Sequence, residues 1–407
     1  MTRFSSVLLA GSLTWAALFS ALPGAASPSP EPTPSEAPRA RLRDLGIVIG
    51  SHPTGPFNAL TDVPGVLVGH VTLVRGEGRL VPGKGPVRTG ITAIMPRPDP
   101  WHRKLPAAVD VLNGNGEMTG THWIRESGWL ETPIVLTDTL SVGKVTDGVV
   151  DWMARRFPGM GRDEDVVLPV VAECDDGFLN DQLGRHATSA DVAAALDGAK
   201  GGPVAEGAVG AGTGMMSYGF KGGIGTASRV ASLGSVRYTV GALVNTNMGR
   251  RPELTVAGIA VGKAIRDLMP VRRPSEGSII VVLATDAPMD AQQLQRLARR
   301  ATLGIARTGA PAHHSSGDLV LAFSTGTEIP MDMPDPPLLK VERLHPAAAD
   351  ALFMPAVEAV EEAILNALCM AKTTRGRDGH LAHALPLDRL VTLVAGQGTD
   401  HRKEDRP

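Results

Sequence analysis

The chain has 407 residues, 43% of them hydrophobic and 20% charged, which is enough apolar material for a large soluble core. Its formal net charge is −2 and it has no long basic run, which argues against nucleic acid or an anionic membrane surface as the main partner. Aromatic residues make up only 4% while glycine numbers 47, so packing must lean on Ala, Val, Leu and close backbone contacts.

In chain order, the opening MTRFSSVLLAGSLTWAALFSALPGAAS sets Arg3 ahead of an apolar stretch from Val7 to Leu22, with small residues at Gly24 and Ala26. This is the layout of a signal peptide over residues 1–26, cleaved after Ala26, and it predicts an exported protein, periplasmic or secreted. The apolar run is interrupted and short for a membrane span, so no stable span is expected after processing; an uncleaved N-terminal anchor is the alternative. Residues 27–42, opening SPSPEPTPSEAP, read as a Pro-rich extended linker. Residues 43–407 read as one domain.

Runs bounded by Gly, Pro or Asp predict strands at 65–74, 90–96, 107–113, 133–139, 166–173, 238–247, 255–262, 278–285 and 318–325. Helical patterning predicts helices at 142–157, 188–199, 290–308 and 345–373. In the third, Leu294, Leu297, Ala298, Ala301 and Ile305 recur on one face. Strands punctuated by helices indicate a layered α/β domain. Many strands are apolar on both faces, as when two sheets pack together and helices cover the outside.

Polar residues gather at strand ends. VVAECDDGFLND (170–181) carries Glu173, Asp175 and Asp176, which could bind a cation or an ammonium group, or could form a turn capped by Asp. GALVNTNMGR (241–250) ends in Asn245 and Asn247, and a fixed side-chain amide can stabilise an oxyanion; an Asn-rich turn is the plainer reading. HHSSGDLVLAFST (313–325) places Ser315, Ser316 and Asp318 around a strand start, as orienting groups or as loop residues, with His313 and His314 expected to be solvated. Cys174 and Cys369 lie in apolar surroundings; export permits a bridge, but both also suit buried thiols. No Cys/His spacing suggests a metal. The Gly-rich 205–229 invites a nucleotide-binding reading, yet it lacks a tidy βαβ context and the Gly-Lys-Ser/Thr of a P-loop. GxSxG is absent.

The junction VRRPSEGSIIVVLATDAP (271–288) runs a loop straight into an apolar strand whose first residue is Ser278. Locally this is loop punctuation. The segments taken together, however, resemble the P1 peptidase family, the L-aminopeptidase D-esterase and β-peptidyl aminopeptidase group. The resemblance runs in order through RDLGIVIGSHPTGPFNALTDVPGVLVGHVTL, VLNGNGEMTGTHWIRESGWLETPIVLTDTLSVG, ECDDGFLND, VGAGTGMMSYGFKGGIGTASR, EGSIIVVLATDAP and HSSGDLVLAFST, over most of residues 43–326.

That resemblance implies a precursor that cuts itself at Gly277–Ser278, leaving an α chain to residue 277 and a β chain of 130 residues (407 − 277) that begins with the nucleophile Ser278. It implies Asn247 as oxyanion donor, Ser316 and Asp318 beside Ser278 to orient it or tune its amine, and Glu173 as receptor of the substrate's ammonium. Asp175 stands where some relatives carry an aromatic hydroxyl, which leaves substrate range open. The implied fold is a four-layer αββα sandwich resembling N-terminal nucleophile hydrolases with different connectivity. Neither metal nor organic cofactor is implied, and the αβ units are expected to form homo-oligomers such as tetramers. The expected activity is removal of N-terminal residues from short peptides, amides or esters. A self-processing acyltransferase and an uncleaved ligand-binding protein are the alternatives, and a nucleotide-dependent oxidoreductase the remotest one.

Overall fold

The computed structural model describes residues 38–270 and 277–398. The expected signal peptide, the linker up to residue 37 and positions 271–276 of the PVRRPSEG seam lie outside the described residues. Among the described residues nine strands of five or more residues form the frame: β1 (Leu67–Arg75), β2 (Val87–Met95), β3 (Arg103–Gly114), β4 (Ile134–Asp138), β5 (Val170–Cys174), β6 (Gly223–Leu233), β7 (Val236–Asn247), β8 (Ser278–Thr285) and β9 (Gly317–Ser324). One sheet has the order β1-β2-β4-β5. The other runs β3-β9-β8-β7-β6, with two short strands added at β3. In the second sheet β8 pairs antiparallel with β7 and parallel with β9.

Alternation along the strands builds the layers, because successive side chains leave a strand on opposite faces. Ile279, Val281 and Leu283 pack with Leu294, Leu297, Val360 and Ile364 of two helices, α3 (Ala291–Arg307) and α4 (Asp350–Met370), once α1 (Val142–Arg156) and α2 (Ser189–Asp197) are counted ahead of them. Ile280, Val282 and Ala284 point the other way and meet Ile134, Leu136, Val170 and Ala172 of the first sheet. That sheet's outer face, with Ile91, Val135 and Val171, is covered by Val145, Trp152, Val192 and Leu196 of α1 and α2. The order is helix, sheet, sheet, helix, as the sequence indicates.

Several expectations are corrected. The run 255–262 is no strand: Ala257 and Gly258 both take positive φ (49° and 83°) in a two-residue turn closed by mutual Val256–Ile259 hydrogen bonds, and Val261–Ala264 turns helical. The Gly-rich segment after residue 222, where no strand is expected, forms strand β6. Its Gly225 is required because α4 lies directly on it; a β-carbon there would stand 1.9 Å from the Ala363 carbonyl oxygen. The fold also begins earlier than the expected linker end. Leu42 is fully buried, its N–H donates to Asn366 Oδ1 (3.0 Å), and Arg39 Nε donates to the Cys369 carbonyl (2.7 Å). Cys174 and Cys369 are both free and buried, the first between the sheets and the second near the end of α4 itself, on the helix side of the core. A further helix, α5 (Leu387–Gly398), has no counterpart among the expected elements.

The helix α4 is apolar overall yet buries Glu358 and Glu362, which sequence patterning cannot explain. Both meet the fully buried Arg229 of β6, at 3.1 Å to Glu358 and 2.6 Å to Glu362, and Arg43 adds a 3.0 Å pair to Glu362. Removing Glu362 leaves Arg229 with Glu358 alone and takes the carboxylate from Arg43, so the buried cluster loses its charge balance. Glu362→Ala is therefore expected to cost about 3–5 kcal/mol in urea unfolding, whereas a loss near the roughly 0–1 kcal/mol of a surface pair would show that water replaces the carboxylate.

Candidate active site at the mouth of strand β8

Ser278 opens β8 with Asn247 opposite it on β7 and Gly317 beside it on β9. By the alternation above, its side chain shares the inter-sheet face with Ile280. The residue is 5% exposed, and its Oγ has no hydrogen-bond partner. Cys174, at the end of β5, lies beside that hydroxyl and donates its thiol to the Asn245 carbonyl (3.4 Å). Burial pushes this thiol well above its usual range, so it stays protonated.

Gly277 precedes Ser278 at a point of extreme closeness. A β-carbon there would stand 1.5 Å from the Asn247 carbonyl oxygen, so only glycine fits. The φ of Gly277 lies outside the left-handed region, so the requirement for glycine is one of space rather than of backbone conformation. Its carbonyl accepts a hydrogen bond from Gly317 N–H (3.3 Å).

The Asn247 carboxamide is held at both ends: Oδ1 accepts from Met216 N–H (2.9 Å) and Nδ2 donates to the Asp175 carbonyl (2.8 Å). One Nδ2 hydrogen remains for another acceptor. Met216 is placed by a residue that the sequence analysis missed. Lys221 is fully buried, and its Nζ donates to the carbonyls of Gly212, Met215 and Gly222 at 2.8–2.9 Å; burial lowers its pKa to about 7. Within a Gly-rich run nothing marks such a lysine, because the carbonyls it binds converge only in the folded loop.

The acidic cluster divides into separate tasks. Asp175 accepts from Gly177 N–H and Gln182 Nε2, both at 2.7 Å, which is turn capping. Asp176 bonds Asn180 Nδ2 (2.9 Å), and burial drives its carboxyl well above the ordinary range. Glu173 differs. Its Oε1 accepts from Glu117 N–H (3.0 Å) and its Oε2 from the Thr139 hydroxyl; burial raises its pKa against the pull of those two bonds. A methyl placed on Gly116 would stand 3.2 Å from both Glu173 Oε1 and Gly317 Cα, so this carboxylate reaches toward the strand that flanks Ser278.

Ser316 donates to Asp318 Oδ1 (2.7 Å), and Asp318 Oδ2 is buried without a partner. Burial raises this carboxyl's pKa, while the Ser316 bond lowers it. The two residues do not join Ser278 Oγ. Asp318 stands level with Ile279 and so points to the helix side, where it lines a void of about 10 Å³ with Ser316, Gly277 and His313. His313 is not simply solvated, since its Nε2 pairs with Glu253 Oε1 (2.8 Å). A larger cleft of about 830 Å³ has Asn247, Gly277 and His313 in its wall. Among the described residues no group of three His, Cys, Asp or Glu could hold a metal ion.

Comparison with known proteins decides the family. Residues 58–382 match peptidase family S58. The chain belongs to peptidase family S58. It is 44% identical over 367 residues to beta-peptidyl aminopeptidase BapA of Sphingosinicella xenopeptidilytica, covering 87% of this chain and 90% of that one. The solved beta-aminopeptidase of a Burkholderia species aligns with TM-score 0.81 at 45% identity, over 88% of this chain and 99% of that one. The L-aminopeptidase D-Ala-esterase/amidase of Ochrobactrum anthropi, described as a prototype for the serine aminopeptidases and a variant of the Ntn hydrolase fold, aligns with TM-score 0.82 at 44% identity, again over 88% and 99%. This S58 peptidase is thus a serine-type aminopeptidase hydrolase on an Ntn-like αββα fold.

The depressed lysine makes a stability prediction. Unfolded Lys221 regains an ordinary pKa of about 10.4, so between pH 7 and 10 the unfolded chain binds more protons at this site than the folded one. Its contribution therefore makes stability rise with pH across that window. Lys221→Met is expected to remove this upward slope in urea unfolding curves taken from pH 7 to 10; an unchanged slope would contradict the assignment.

Proposed function

We propose that this S58 peptidase is an exported, self-processing aminopeptidase in which Ser278 is both the agent of its own maturation and the nucleophile of turnover. The observation that carries the reading is the junction itself. A glycine that cannot be replaced without collision precedes an unpartnered serine hydroxyl, opposite an asparagine whose carboxamide is fixed at both ends.

In maturation, Ser278 Oγ adds to the Gly277 carbonyl carbon and the C–N bond breaks, with the hydroxyl proton passing to the departing nitrogen. Water then hydrolyses the resulting ester, leaving a Gly277 carboxylate and a Ser278 that bears a free hydroxyl and a free amine. A terminal amine has an ordinary pKa of roughly 7.7–8.0, which suits it to take the proton of its own hydroxyl near neutrality. In turnover Ser278 Oγ adds to the acyl carbon of the substrate while Asn247 Nδ2 donates to the oxyanion; the C–N or C–O bond then breaks and the amine or alcohol leaves with the hydroxyl proton, relayed by the terminal amine, and water hydrolyses the ester on Oγ to release the acid. Glu173 receives the substrate's ammonium and so selects a free N-terminus. Ser316 and Asp318 act from the helix side, next to Gly277 and the nitrogen of Ser278. Substrates are short peptides, amides or esters with a free amine, and the αβ units assemble as homo-oligomers.

Intact-mass spectra of the wild type and of Ser278→Ala under denaturing conditions test the maturation. Two wild-type fragments, the smaller starting at Ser278 with 130 residues (407 − 277), together with an uncut variant, are expected. A folded, uncut wild type would remove the amine base and sink the reading. Glu173 supplies a second test. Because its pKa is raised, kcat/KM for amine substrates should fall as pH drops through a value above the free glutamate's, about 4.3. Glu173→Gln should lose that limb and raise KM by roughly tenfold or more, as expected for a lost charged hydrogen bond. Cleavage of N-acylated substrates at the rate of free ones would contradict the role.

A further inference from the structure

We infer that Asn245, two residues behind Asn247 on β7, is a positioning residue for Ser278. Five asparagines are buried among the described residues: Asn58, Asn180, Asn245, Asn247 and Asn366. Four are tied down at both ends of the amide. Asn58 binds Glu362 and Ser228 N–H, Asn180 binds Asp176 and Arg88 N–H, Asn366 binds Leu42 N–H and the Thr226 carbonyl, and Asn247 is bound as described. Asn245 is fully buried, and neither its Oδ1 nor its Nδ2 has a protein partner. Leaving a buried polar group unsatisfied costs about 1–3 kcal/mol.

The position makes that cost informative. Asn245 is level with Ile224 on one side and Ile280 on the other, and Leu243 precedes it on the same inter-sheet face. Every local cue calls for an aliphatic side chain, and local rules tend to fail at functional positions. The one other polar side chain that this face of β8 offers nearby is Ser278, diagonal to Asn245 in the antiparallel register, with its Oγ equally unpartnered. Diagonal side chains on a sheet start some 7–8 Å apart or somewhat less, a span suited to one bridging water. Cys174 closes the group by donating its thiol to the Asn245 carbonyl while lying against the Ser278 hydroxyl. Asn245 thus holds, through that water, the rotamer in which Ser278 Oγ faces the reacting carbonyl. Asn247 serves the oxyanion from the outer end of the same strand face, and Asn245 serves the nucleophile from the inner end. The inference rests on Ser278 being the nucleophile.

The test is Asn245→Leu, a near-isosteric swap that removes the orphaned amide, with Asn245→Thr as a smaller hydroxyl-bearing variant and Ser278→Ala as control. Thermal midpoints, the rate of chain cutting, and kcat and KM on a neutral amide with a free amine are measured. Asn245→Leu is expected to keep or raise the midpoint while the cutting rate or kcat falls at least tenfold with KM within twofold. Asn245→Thr should recover part of the rate. Cutting and kcat within threefold of wild type in Asn245→Leu would overturn the inference, as would a midpoint that falls in both variants in step with the rate, which marks a structural group. If Ser278→Ala is itself cut and active, the nucleophile reading fails. If Ser278→Ala is inert while Asn245→Leu is unimpaired, only the present inference fails.

Discussion

The contact on which the site depends is the approach of the Gly277 backbone to the carbonyl of Asn247. It leaves no room for a β-carbon, and it locks the mouth of β8 between β7 and β9 in one register. With that register set, alternation places Ser278 on the inter-sheet face and Asp318, one strand away, on the helix face. The candidate residues therefore surround the Gly277–Ser278 bond from two sides of a sheet rather than converging on the hydroxyl. A bond gripped on both sides suits the self-cutting proposed for it.

Buried polar groups then hold this arrangement from a distance. Lys221 gathers three carbonyls of the loop that presents Met216 N–H to Asn247, so a buried lysine sets the angle of the amide proposed to serve the oxyanion. Arg229, with Glu358 and Glu362, ties a strand of the proposed α chain to a helix of the proposed β chain. Arg43 joins Glu362, and the N-terminal segment binds α4 through Leu42 and Asn366. Contacts of this kind keep the two portions together whether or not the bond at residue 277 is intact.

Much was legible in the sequence because it depends on local pattern. The aliphatic strands 278–285 and 318–325 and the helix 290–308 were recoverable from periodicity, and the structure returns them within a residue or so. Strand β6 was not, because Gly225 and its small neighbours answer to the helix lying on them rather than to strand propensity. The run 255–262 failed for the opposite reason: its composition suits a strand, but Ala257 and Gly258 adopt a turn. In the acidic cluster, spacing cannot separate Glu173, which reaches toward Gly317, from Asp175 and Asp176, which serve the turn.

By itself the sequence determined the layered α/β class, the glycine-serine junction at the start of an apolar strand, and the residue types available for acyl chemistry, since each of these is written in neighbouring residues. Only the tertiary structure decided which groups meet. That Asn247 is held at both ends while Asn245 is left open, that Ser316 and Asp318 stand on the far side of the sheet from Ser278 Oγ, and that Lys221 and Arg229 are buried at all are consequences of contacts between segments far apart in the chain. Such contacts arise from strand register and layer packing, and no single stretch of sequence encodes them.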